Sequence, residues 1–116
     1  MADATTTLAE LRDRVRRFVD ERDWSQFHSP KNLSMSIAIE AAELMEHFQW
    51  LTTDAAGAVS DDADTMQQVR EELADVFCYA LAFANALDID LSAALIDKLK
   101  MNEKKYPAEK FRGRFR

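Results

Sequence analysis

Two pairs of carboxylates, Glu40-x-x-Glu43 and Glu72-x-x-Asp75, are the residues of this sequence best spaced to do chemistry. Each pair lies in a segment of helical periodicity, beside an apolar stripe instead of on the far, wet face. On a helical wheel, Glu40 falls roughly 60° and Glu43 roughly 120° to one side of Ile37. Glu72 and Asp75 take the same two positions, roughly 60° and 120°, relative to Val69. If the two helices pack through their stripes, four acids line one cleft and repel one another where hydration is poor. Divalent cations relieve that repulsion, and hard oxygen donors suit Mg²⁺. Mg²⁺ in an acidic cleft commonly holds phosphate, which points to an enzyme of nucleotides or polyphosphates. The bland alternative is two ordinary boundary positions on two acidic helices. Glu46 and Glu71 lie roughly 180° from Ile37 and roughly 160° from Val69, and read as solvated.

Other chemistries are excluded by what the chain lacks. Its histidines are His28 and His47, and neither follows a Glu by three, so the Glu-x-x-His motif of di-iron bundles is absent. An all-oxygen donor set favours Mg²⁺ or Mn²⁺ over iron or zinc. With only Gly57 and Gly113 there is no glycine-rich phosphate loop, so phosphate must be held by metal and side chains. Ala41, Ala42 and Ala74, set among the acids, either let the helices approach closely or serve simply as good helix formers.

Four helical segments must position these groups. Thr7 and Glu10 have capping-box spacing, and Leu8, Leu11, Val15, Phe18 and Val19 carry the first helix to about Glu21. Trp24 to His28 is a short aromatic connector. Ser29 caps the second helix with Pro30 at its first position. Leu33, Ile37, Ala41, Leu44 and Phe48 form its stripe, and it should end near Leu51. Thr52 to Ser60 reads as a loop. A third helix starts near Asp61 with acids in its first turn. It runs to about Leu87 on Val69, Leu73, Val76, Ala80 and Leu81. Asp90 caps a fourth, carrying Leu91, Ala94, Leu95 and Leu99 and stopping before Pro107. No strand alternation or repeat occurs, so the expected architecture is an all-α four-helix bundle.

At 116 residues this is expected to be one domain, 1–116, with 47% apolar and 31% charged residues. The net charge of −6 argues against wrapping a nucleic-acid backbone. The exception is a basic tail within 108–116, Lys110, Arg112, Arg114 and Arg116. It is either a phosphate or RNA contact or a solvated, partly mobile terminus. No apolar run reaches the ~18 residues of a membrane span. The first residues lack a secretion signal, and a single cysteine, Cys78, fits a reducing cytoplasm.

Beyond the acids, further residues carry a resemblance. They include Arg22-Asp23-Trp24-Ser25-Gln26-Phe27-His28, Pro30, Asn32-Leu33, Glu40-x-x-Glu43-Leu44, Glu46 and Phe48-Gln49-Trp50. Glu71-Glu72-Leu73-Ala74-Asp75-Val76, Tyr79, Asp90-Leu91, Lys98, Asn102 and Tyr106-Pro107 complete the set. Over residues 8 to 107 the chain resembles the MazG-like all-α nucleotide pyrophosphohydrolases, and within them the dCTP pyrophosphatase branch. The resemblance implies hydrolysis of a dNTP, dCTP or a modified dCTP foremost, to dNMP and pyrophosphate in nucleotide-pool house-cleaning. It implies Mg²⁺ held by Glu40, Glu43, Glu72 and Asp75. It implies substrate contacts from Trp24, Phe27, His28, Trp50 and Tyr79, and a homotetramer built as a pair of dimers. One departure is Val15, which stands where the animal enzymes place a nucleotide-contacting histidine. The alternatives are the same chemistry on dUTP or another nucleotide, or a non-catalytic nucleotide-binding bundle.

For such a reaction the residues suggest direct attack by water, since Cys78 and the serines lack a neighbouring base. Glu43 or Glu72 would take the water's proton. Lys98 and Lys105 are either cations for the departing pyrophosphate or solvated charges at a helix end. Trp24 and Phe27 either stack on a base or pin the connector to the bundle. Trp50 points roughly 140° away from the second stripe, toward a pocket or a subunit contact. Tyr79 is either a sugar or phosphate contact or a boundary tyrosine. His28 and Asn102 are either polar contacts to substrate or structural.

Overall fold

A computed structural model describes residues 1–114. Six α-helices follow in order: α1 (Leu8–Glu21), α2 (Pro30–Glu46), α3 (Thr53–Gly57), α4 (Ala63–Leu87), α5 (Leu91–Lys105) and α6 (Ala108–Phe111). Short 3₁₀ turns at Ser25–Phe27 and Val59–Asp61 connect them, and there is no strand among the described residues. No single helix is long and apolar enough to cross a membrane.

The helix starts follow local chemistry. Thr7 Oγ1 accepts from the Glu10 amide at 3.1 Å while Glu10 Oε2 accepts from the Thr7 amide at 3.2 Å, closing the capping box. Ser29 Oγ accepts from the Asn32 amide at 3.2 Å with Pro30 at the first helical position. Asp62 caps α4 through the amides of Asp64 and Thr65, and Asp90 caps α5 through that of Ala93. Asp88 takes a left-handed conformation (φ 53°) to end α4.

Two boundaries differ from the sequence expectation. α2 stops at Glu46, because His47 and Phe48 tighten onto the carbonyls of Leu44 and Met45 and the chain continues as turns through Trp50. The expected loop 52–60 holds α3, where Thr52 Oγ1 caps the Ala55 amide at 3.1 Å ahead of the helix formers Ala55 and Ala56.

The core lies where α2 crosses α4, with α1 laid on α4 beside it. Leu33 of α2 and Leu81, Ala82 and Ala84 of α4 are buried there. Removing Leu33 from water contributes about 1.5–3 kcal/mol. Arg12 fastens α1 to the end of α4: its Nε donates to Asn85 Oδ1 at 3.1 Å, a second guanidinium nitrogen donates to the Ile89 carbonyl, and Asn85 Nδ2 donates back to the Arg12 carbonyl.

α5 breaks the expected bundle. It leaves α4 at a bend of 103° and packs on none of the other long helices to any extent. Its stripe residues Leu95 and Leu99, expected in a core, are 60% and 45% exposed. Leu73 of α4 is likewise exposed. One chain therefore packs three long helices and leaves the fourth helix uncovered. In the basic tail, α6 and an edge-to-face contact of Tyr106 with Phe111 at 5.2 Å hold the chain as far as its Lys110 and Arg112, while Arg116 lies outside the described residues.

Candidate functional site

The α2–α4 interface brings Glu40 and Glu43 of one helix against Glu72 of the other. One carboxylate oxygen from each lies within 4.8 Å of the other two. The sequence phase placed all three beside the stripes, and packing through those stripes sets them face to face. All three are half-buried. Oε2 of Glu40 and Oε2 of Glu72 are buried without a hydrogen-bond partner. Buried anionic oxygens without a partner cost free energy unless a proton or a cation satisfies them. Burial, a proton shared with Glu43, and the charges of Glu43, Asp75 and Glu72 push the Glu40 acid up to about 7. Glu72 is pushed up by burial and then by Glu43, with His47 acting in the opposite direction. A donor set of hard oxygens with two unsatisfied members fits a divalent cation.

Asp75 does not join that trio. It is exposed on α4, one turn beyond Glu72, and its charge raises the acids of Glu40 and Glu72. It lines instead a cavity of about 230 Å³ together with Val15, Trp24, His28, Cys78 and Tyr79. Acid cluster and cavity thus adjoin along α4. The aromatic wall is a run of edge-on and tilted rings: Phe18 to Trp24 at 5.6 Å, Trp24 to His28 at 6.4 Å, and His28 to Tyr79 at 6.3 Å. His28 Nδ1 is buried without a hydrogen-bond partner. Burial, then the Glu40 charge, raises the Tyr79 phenol, which keeps its proton as a donor. Val15, the departure noted in the sequence, forms part of this wall.

The remaining candidates stand elsewhere. Phe27 is 59% exposed on the connector and Trp50 is 88% exposed after α2. Lys98 and Asn102 lie on α5, apart from the α2–α4 interface within one chain. Lys105 lies over the Tyr106 ring at the end of α5, 5.3 Å from its centroid. Glu46 and Glu71 are exposed, as their phase implied.

The sequence reading missed His47. Its Nε2 lies 4.0 Å from Oε1 of Glu72 across the helix interface. The signal was present as Glu43-x-x-x-His47, since residues four apart share a helix face.

The profile of the MazG-like family matches residues 35–114. Human dCTP pyrophosphatase 1 is 38% identical over 102 residues, covering 88% of this chain and 60% of that protein. The rat (Rattus norvegicus) protein of the same name is 37% identical over 107 residues, covering 92% of this chain. The chain spans 60 to 63% of the length of these curated relatives. The crystal structure of a pyrophosphatase from Archaeoglobus fulgidus superposes with a TM-score of 0.81 at 39% identity, covering 92% of this chain and 98% of the other.

Proposed function

The chain belongs to the MazG-like family, and we propose that it is a Mg²⁺-dependent pyrophosphohydrolase acting on a nucleoside triphosphate, with dCTP or a modified dCTP as its preferred substrate. The observation that carries this reading is the meeting of Glu40, Glu43 and Glu72, two of them with unpartnered buried oxygens, beside an aromatic-walled cavity. Glu40, Glu43 and Glu72, with Asp75 at the margin, would hold the cation. When bound, that cation offsets the charge of the triphosphate and lowers the pKa of water. Glu43 or Glu72 accepts the proton of the attacking water. Trp24, His28 and Tyr79 receive the base, and the protonated Tyr79 hydroxyl donates to sugar or phosphate. No covalent intermediate is needed, since burial raises the Cys78 thiol and keeps it a poor nucleophile.

Phe27, Trp50, Lys98 and Asn102 lie outside this cavity and reach substrate only when a second subunit completes the site. The assembly we propose is a homotetramer, a pair of dimers, which would cover the bare face of α5. Work on the nucleotide pool of the cytoplasm by a single catalytic domain suits this chemistry.

The test is purified protein with Mg²⁺ and a panel of dNTPs, read by pyrophosphate release. The expected result is release from dCTP, and its loss in Glu40→Gln with the helical circular dichroism unchanged. No release from any nucleotide would reject the reading, and binding without turnover would mark a non-catalytic nucleotide binder. Wild-type turnover in Glu40→Gln would remove the metal assignment.

A further inference from the structure

We propose that three arginines of α1, Arg14, Arg17 and Arg22, form an anion site that receives the polyphosphate of an incoming nucleotide before it reaches the carboxylate cluster. The role for a nucleotide rests on the functional reading above; the binding of an anion does not. Together with Phe18 the three recur at three- and four-residue spacings, so they share one face of α1. That face lines a cavity of about 510 Å³ with Val15 and Cys78. Val15, Phe18 and Cys78 also line the aromatic cavity, so the two spaces adjoin. Glu72 of the cluster, Asp75 of the aromatic cavity and Cys78 of both cavities follow one another at one-turn steps along α4. Acids, aromatic cavity and arginines therefore form one connected series along that helix.

Charge on this face runs against that of the chain. The molecule carries −6 overall and gathers acids at the α2–α4 seam, and both repel a polyphosphate. In the arginine cavity a single carboxylate, Glu21, stands against three guanidinium groups. Its Oε2 lies 3.8 Å from Arg22 Nη1 with both side chains exposed, a pair too loose to neutralise the face. Arg22 is held in place: its Nη1 donates to the Phe18 carbonyl at 3.0 Å, and its guanidinium lies 3.8 Å above the Phe18 ring. Arg14 meets only Met1 Sδ, at 3.7 Å, and among the described residues Arg17 has no partner. Guanidinium forks pair with phosphate oxygens two at a time. A polyphosphate offers enough oxygens to engage several forks at once, which a lone carboxylate does not. A positive cavity beside an acidic seam raises the local concentration of an anionic substrate where it is needed.

The experiment is calorimetric titration of the metal-free protein with inorganic pyrophosphate, for the wild type, the double variant Arg14→Gln with Arg17→Gln, and Arg70→Gln. Without metal the carboxylate cluster repels pyrophosphate, so binding reports the arginines. Gln is a good helix former, and unchanged circular dichroism checks that α1 persists. Arg70 is an exposed arginine of α4 outside this cavity, so its variant removes a charge and leaves the face intact. The expected result is binding by the wild type and by Arg70→Gln, weaker by about tenfold in the double variant and weakened by salt. Steady-state kinetics on dCTP with Mg²⁺ reads the role in capture. The double variant should raise KM by about tenfold at low salt with little change in kcat, and the difference should shrink at high salt. Wild-type protein that binds no pyrophosphate, a double variant that binds it as tightly as wild type, or an equal loss in Arg70→Gln would overturn the site. An unchanged KM in the double variant would overturn its role for the nucleotide. Wild-type protein that binds pyrophosphate but turns over no nucleotide would support the site and reject the catalytic reading.

Discussion

Glu40 pairs a buried, unpartnered oxygen with an acid pushed up from 4.5 to about 7. The folded chain therefore holds a proton between those values that the unfolded chain has released. The stabilisation from that proton is complete below about pH 4.5 and is lost as pH rises through about 7. Glu72, shifted in the same direction, adds to the slope. Metal-free protein should melt at a lower temperature at pH 8 than at pH 5.5. Glu40→Gln should flatten that slope, and Mg²⁺ should restore stability at pH 8; thermal melts with and without chelator measure all three. Trp24 makes a separate prediction. Base stacking contributes about 1–3 kcal/mol, so Trp24→Ala should raise KM by about 5- to 150-fold with a smaller change in kcat. Steady-state kinetics on dCTP reads both. Among single residues, Glu40, Glu43 and Glu72 were legible because helical phase alone aims them at a shared seam. Asp75 was legible as an acid beside the seam, but its exposure was not, since its phase equals that of Glu43 and only the packing of the helices separates the two. The four-residue spacing of Glu43 and His47 was legible, but the approach of His47 to Glu72 was not, because the two are distant in the chain and only packing brings them together.

The helices that carry these residues divide in the same way. The caps at Thr7, Ser29 and Asp90 could be read because a cap needs only a polar side chain and a backbone amide three residues on. The end of α2 and the existence of α3 could not, since they depend on turns that tighten through Trp50 and on a five-residue helix without an apolar period. Leu33 anchors α2 on α4 at 1% exposure, and the two acid motifs meet only while that contact holds. Leu33→Ala should cost about 2–5 kcal/mol, measured by urea denaturation. The apolar period of α5 was legible, but what it packs against was not. Period states that a face must be covered and leaves open whether the cover comes from the same chain.

One chain alone is a loose object. Among the described residues only Leu33, Leu81, Ala82 and Ala84 count as buried apolar core. The radius of gyration is 17.2 Å, against about 13 Å for a compact domain of this length. Leu95, Ile96 and Leu99 share one face of α5 and are each 45 to 60% exposed, an apolar face that monomers rarely leave to water. Association with further copies is therefore expected to supply part of the fold's stability, and the melting temperature should rise with protein concentration. Leu99→Asp should lower the sedimentation coefficient and the melting temperature together. A wild-type chain that sediments as a monomer at all working concentrations would count against this.

The most direct measurement is a crystal of the protein grown with Mg²⁺ and a nonhydrolysable dCTP analogue. The expected density places the ion among the carboxylates of Glu40, Glu43 and Glu72, with the phosphates on it and the base against Trp24, His28 and Tyr79. Carboxylates turned to solvent, with ion and nucleotide bound elsewhere, would contradict it.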